Sequence, residues 1–259
     1  MTIPVPAAAH PADAILAGID GCRAGWIVCR IRAEGPIAPR IDVVARLAEL
    51  FDAADAPALT AIDMPIGLPE RIGVGGRGPE RLIRPLLGER QSSVFSIPSR
   101  AAVFAGEGRV DADAWLETCR VALATSEPPK KVSRQGFGLF PKIRELDRLL
   151  DPERATRIVE SHPELAFRQI AGGRAMALPK KVENRPNPPG LDERRDLLAA
   201  HGFDRALFDG PPPRGAGPDD LLDACVLALV ARRIRAGIAE SFPPDPTCDA
   251  RGLPVRIVA

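Results

Sequence analysis

Four acids in this chain stand where a carboxylate is costly. Asp20 ends the apolar run ILAGID and is followed at once by Gly21. Asp63 ends ALTAID just before Met64-Pro65. Glu160 closes ATRIVE, ahead of Ser161 and the break at His162-Pro163. Asp223 lies three residues before Val226 and seven before Val230, which on a helix puts it on or beside an apolar stripe. Asp219 and Asp220 suit a first helical turn, where the macrodipole favours acids, but Asp223 lies deeper. A buried carboxylate needs a partner. Several that converge repel one another unless they hold cations, and oxygen-only ligands suit Mg²⁺ or Mn²⁺. Two such ions activate water and stabilise a leaving oxygen, which is the chemistry of phosphodiester hydrolysis. Taken singly, each acid has a plainer role as a turn residue, a cap or the partner of an arginine; Asp before Gly is a common turn choice. That plainer reading accounts for any one acid well and for the set poorly.

For the four to meet, the elements that carry them must converge. LAGID, WIVCRI and RIDVVA, within Ile15–Ala45, read as three strands of an antiparallel meander. Leu47–Ala54 reads as a short helix. Ala58–Met64 and Ala155–Ser161 read as further strands, each ending near an acid. If these strands are neighbours, their C-terminal ends cluster only where they run parallel, as in βαβ units. The stretch between them has no strand character. Its first part is rich in Gly, Arg and Pro, and Asp113–Ala124 and Phe140–Leu150 read as helices. We take about 66–155 as a mostly helical insertion over the site, within one domain spanning 12–259. Glu164–Ala171, Leu191–Ala200 and Asp219–Ala236 are further helices, the last beginning just after Pro218. Gly172–Gly190 reads as a loop, Gly210–Pro218 as a linker, PVRIVA as an edge strand or extended tail, and Met1–Pro11 as a loose tail. No internal repeat is visible.

Composition narrows the function. With 259 residues, 45% hydrophobic and 27% charged, a sizeable core is affordable. Net charge is only +1, aromatics are 4% and Tyr is absent. A protein that grips long nucleic acids usually shows a basic excess and rings for stacking, so a small or specific substrate fits better. The five cysteines form no CxxC pair, which argues against a zinc site or a disulfide framework and for the cytoplasm. There is no signal-peptide pattern and no run long enough to span a bilayer, so no membrane is expected.

The order of these elements, with an Asp on the first strand, acids on later strands and an acid on the last helix, resembles the ribonuclease H-like fold. DDLLDA (Asp219–Ala224) is similar to the last-helix signature of Holliday-junction resolvases in that superfamily. The chain more closely resembles DUF429, a family described as predicted nucleases of this fold. The matching stretches are GIDGCRAGW (Gly18–Trp26), AIDMPIGLPE (Ala61–Glu70), SSVFSIPSR (Ser92–Arg100), GFGLFPKIRELD (Gly136–Asp147), VESHPELAF (Val159–Phe167) and DDLLDA.

The resemblance implies an α/β domain with a mixed five-stranded sheet flanked by helices. It implies metal ligands at Asp20, Asp63, Glu160 and Asp223, with Asp220 as substitute or supporting partner, and Mg²⁺ or Mn²⁺ as cofactor. Arg23, Ser93, Arg100 and Lys142 are the candidate substrate-binding residues, and Glu145 lies in the same family-specific segments. For Arg100 and Lys142 a solvated face is the commoner role. The expected activity is hydrolysis of phosphodiester bonds in a nucleic acid or nucleotide. Two alternatives stand beside it. One is a ribonuclease H-like binding module without catalysis, in which at least one acid is missing or points away. The other is a phosphotransferase like sugar kinases and actin-like ATPases, whose nucleotide cleft needs a second copy of the fold that this chain lacks.

Overall fold

The computed structural model describes residues 13–109 and 111–259. The tail expected at Met1–Pro11 lies outside them. Five strands make the main sheet: β1 (Ile15–Cys22), β2 (Gly25–Arg32), β3 (Arg40–Val44), β4 (Leu59–Ile62) and β5 (Ile158–Glu160), in the order β3-β2-β1-β4-β5. The first three are antiparallel, and β4 and β5 lie parallel to β1. This is the mixed five-stranded sheet expected, consistent with the ribonuclease H-like fold. β1 is central and covered on both faces, which is why its sequence is apolar without alternation. The last strand is shorter than its apolar run, because Arg154–Thr156 turns as a 3₁₀ helix before it.

Parity along the strands sorts the side chains onto two layers. Leu16, Ala61 and Val159 join one core cluster, and Ala17, Ile19, Ile62 and Ile158 join the other. The second layer holds α1 (Leu47–Phe51) and the helices between β4 and β5. Those are α2 (Gly78–Ile83), α3 (Arg100–Phe104), α4 (Ala112–Ala124) and α5 (Arg134–Leu149). The first layer holds α6 (Pro163–Ile170), α7 (Pro188–Ala200) and α8 (Pro218–Arg235). A hairpin of β6 (Lys181–Val182) and β7 (Arg185–Pro186) leads into α7. The PVRIVA segment supplies β9 (Ile257–Val258), which pairs with β8 (Ser241–Phe242).

α5 starts six residues before the expected Phe140. Ser133 caps it by accepting from the Gly136 amide at 3.0 Å. Gly136, Gly138 and an internal Pro141 weaken the helical pattern there. The apolar faces of Phe137, Phe140 and Ile143 compensate by burial. α8 differs from expectation in another way. It is buried almost all round, not along one stripe, because it is wedged between the sheet and α6 and α7. Gly18 on β1 makes that approach possible: a Cβ there would collide with the α8 backbone at Ala224 and Ala228. Among the described residues no helix is long and apolar enough to cross a membrane.

Candidate acidic site

Asp20 and Asp63 sit side by side at the C-terminal ends of parallel strands. The ladder pairs Ile19 with Ile62, and the Asp63 amide donates to the Ile19 carbonyl at 2.9 Å. Both aspartates extend the parity of Gly18 and Ala61, so both face the α8 layer. Asp223 projects from the second turn of α8 into the same place and is buried. α8 starts just outside the site, where the Asp220 carboxylate accepts from the Gly217 amide at 2.8 Å.

The electrostatics follow from that crowding. Burial, then the charges of Asp223 and Asp63, push Asp20 well above the usual carboxylate range. Burial and Asp223 push Asp63 up to about 8. Burial raises Asp223 to about 6, against the pull of Lys180. Half-buried Asp220 is also raised by burial. One cation relieves the group: the Lys180 ammonium, which donates to Asp223 Oδ2 and lies 3.8 Å from Glu164. Burial works against that charge, but Asp223 and Glu164 hold it above the usual lysine range. Asp223 Oδ1 is buried and has no hydrogen-bond partner. Among the described residues, no three His, Cys, Asp or Glu side chains surround one point as an ion cage. Lys180 holds the position where a cation would meet Asp223.

Glu160 lines the same cavity as Asp20 and Asp63 and its charge adds to the rise of Asp63, but its carboxylate is turned to other partners. It pairs with Ile62 in the β4–β5 ladder, so its side chain leaves the opposite face from Asp63. There Arg77 binds it through Nη2 at 2.5 Å and Nη1 at 3.1 Å, and the Ile66 amide donates to it at 2.6 Å. Arg77 also pairs with Glu80 at 2.8 Å, and these two acids raise the guanidinium's proton affinity despite its burial. Burial lifts Glu160 to about 7 while Arg77 opposes the rise. The residue just after β5 that shares the face of Asp63 is Ser161, whose hydroxyl is buried without a partner.

The remaining candidates divide. Lys142 reaches the site from α5, donating to the Gly25 carbonyl and lying 4.5 Å over the Trp26 ring; burial lowers its proton affinity. Ser93 lines the cavity and donates to the Arg90 carbonyl at 2.7 Å. Arg23 is exposed in the β1–β2 turn. Arg100 lies elsewhere, tied to Asp147 and, at 2.5 Å, to Asp249. Glu145 braces the fold, accepting from the Trp26 indole at 3.0 Å and the Leu47 amide at 2.6 Å.

Sequence reasoning passed over Lys180, His162 and Arg77. Lys180 stands in a polar loop with nothing in its spacing to mark it. His162 drew notice only as half of a strand-breaking dipeptide. Burial pushes its imidazole down to about 4, so it is neutral, with Nε2 at 3.5 Å from Ser93 Oγ and Nδ1 unpartnered. A cavity of about 180 Å³ reaches Asp20, Asp63, Lys142 and His162. A second, of about 650 Å³, continues past Asp63 to Lys180 and Asp219.

A family model described as "Protein of unknown function (DUF429)" matches residues 18–248, and the chain belongs to that family. No curated protein matches the chain, and no solved structure does.

Proposed function

We propose that this member of the DUF429 family is a metal-dependent hydrolase of phosphodiester bonds in a nucleic acid or nucleotide. The observation that carries the reading is the trio Asp20, Asp63 and Asp223. They are held on one face of the sheet, desolvated, and compensated by a single lysine. Asp223 Oδ1 is an orphaned carboxylate oxygen, and the donor set is all hard oxygen, which suits Mg²⁺ or Mn²⁺. Asp20, Asp63 and Asp223 would hold the ion once Lys180 has left Asp223 and the three carboxylates have turned to one point, with Asp220 at the rim. Bound there, the metal would supply charge to activate water and to offset the leaving oxygen.

The chain's own residues do the rest. Lys180 keeps Asp223 charged until it is released. Lys142, anchored on Trp26, offers positive charge to a phosphate near Asp20. The uncharged His162 ring can hydrogen-bond a substrate oxygen through its unpartnered Nδ1. The reading places the protein in the cytoplasm, where its five free cysteines stay reduced. Calorimetric titration with Mn²⁺ tests it. Binding to the wild type that is lost in Asp20→Asn supports the site, and no binding, or binding untouched by that change, overturns it.

A second reading has one observation in its favour. Glu160 is consumed by Arg77, and the equivalent place on the acidic face is Ser161. A domain with that reduced set would bind a nucleotide without turning it over. Nucleotide binding with no Mn²⁺-dependent product would select it.

A further inference from the structure

The two cavities beside the acids share Asp63, Ser93, Phe95 and His162, so they form one bent cleft. Its larger part, about 650 Å³, lies within the range of roughly 300–1,000 Å³ typical of small-ligand sites. Residues of the 3₁₀ stretch Arg84–Ser93 and of the loop at Pro179–Lys181 line it. Asp63 lines this part and Asp20 the smaller one, and a cavity of that size suits a small molecule better than a double helix.

Charge argues the same way. Each cation of the larger cavity already has an acid: Arg90 has Glu89 at 3.2 Å, Lys181 has Asp219 at 2.6 Å, and Lys180 has Asp223. A polyanion needs a row of spare cations to displace its counterions, and this cleft has no such surplus. One phosphate needs far less. Arg90 Nε is buried with no acceptor, so it has a donor to give. Phe95 is half-buried and lines both parts of the cleft. A ring at that bend is a platform for one base.

We infer that the cleft takes a single phosphate ester of nucleotide size, its base on Phe95 and its phosphate on Arg90. The assignment deepens the hydrolase reading and rests on it for the reaction, though not for the binding.

Titration of the full-length protein with adenosine 5′-monophosphate, adenosine and a blunt DNA duplex, with and without Mn²⁺, tests this. The monophosphate should bind once per chain and the duplex should not displace it. Phe95→Leu, which keeps packing volume, should weaken the monophosphate by about tenfold or more, and Phe95→Trp should restore it. Arg90→Gln should weaken the monophosphate and leave adenosine unchanged. If Mn²⁺ binds but the monophosphate does not, or if the duplex displaces it, the nucleotide cleft is wrong and the metal reading survives. If the monophosphate binds with this Phe95 dependence and Mn²⁺ does not bind, the cleft stands and the hydrolase reading falls.

Discussion

Replacing Asp63 with Asn should stabilise the metal-free protein, and the gain should grow with pH. Asp63 ionises near 3.8 in an ordinary setting and at about 8 in the fold. At about 1.4 kcal/mol for each tenfold change in proton affinity, the ceiling on the cost of its charge is about 6 kcal/mol. The side chain keeps some surface open to the cleft, so solvent screening lowers this to roughly 2–4 kcal/mol. Between pH 3.8 and 8 the folded chain binds more protons at this site than the unfolded chain, so stability falls as pH rises. Asp223 and Glu160, raised to about 6 and about 7, act with the same sign but finish at lower pH. His162, held at about 4 instead of 6.5, acts with the opposite sign and only below 6.5. The window from pH 6.5 to 8 therefore reports chiefly the acid pair Asp20 and Asp63.

Urea or thermal unfolding of wild type and Asp63→Asn across pH 4 to 9, without metal, measures this. The variant should melt roughly 5–15 °C higher at pH 8, and the gap should shrink toward zero near pH 4. Mn²⁺ should raise the wild-type midpoint by mass action and move the variant less, so the order narrows or reverses. A variant that melts below wild type at pH 8, or a gap that ignores pH, would show that Asp63 is a structural acid with a partner.

Three further outcomes follow from the same geometry. Glu160→Gln should cost about 3 kcal/mol by leaving Arg77 under-compensated, yet leave the calorimetric Mn²⁺ affinity unchanged; lost affinity would make Glu160 a ligand after all. Lys180→Gln strips the shared cation from Asp223 and Glu164, so the metal-free midpoint should fall, by about 3–5 kcal/mol in urea. Mn²⁺ should then restore more of it than it adds to the wild type, and a metal response equal to the wild type's would refute Lys180 as the stand-in. Gly18→Ala should cost about 3 kcal/mol or more through collision with α8, visible as a lower urea midpoint, and a neutral result would mean that α8 lies farther from β1.

Most of the scaffold was legible because its signals are local. Apolar runs marked all five strands, and the acids that end three of them marked the side of the sheet on which a site would form. The family resemblance supplied the strand order, which no local signal carries. What failed locally failed for local reasons. Two glycines and a proline hid the first turns of α5, and on α8 the stripe that correctly placed Asp223 beside the core understated a burial that runs almost all round the helix.

The site was legible in part because strand parity is unforgiving. Asp20 and Asp63 fall one residue after a paired Ile19 and Ile62, and so share a face. Glu160 is paired with Ile62 itself. It is one residue early, and in a period-two structure one residue exchanges the faces. The sequence shows an acid at the end of each run and does not say which residue of the run is in register. Lys180 was hidden more deeply. It stands 43 residues before Asp223, on a loop whose path is set by tertiary contacts such as the Asn187 amide bond to the Lys180 carbonyl at 2.8 Å. These two unseen facts belong together. With Glu160 turned to Arg77, three aspartates remain on the acidic face, and burying three carboxylates together calls for a cation. Lys180 fills that need for Asp223, leaving Asp20 and Asp63 raised and Asp223 Oδ1 unpaired. With all three ionised, Lys180 leaves the trio two charges short of neutrality, which is the charge a divalent cation supplies.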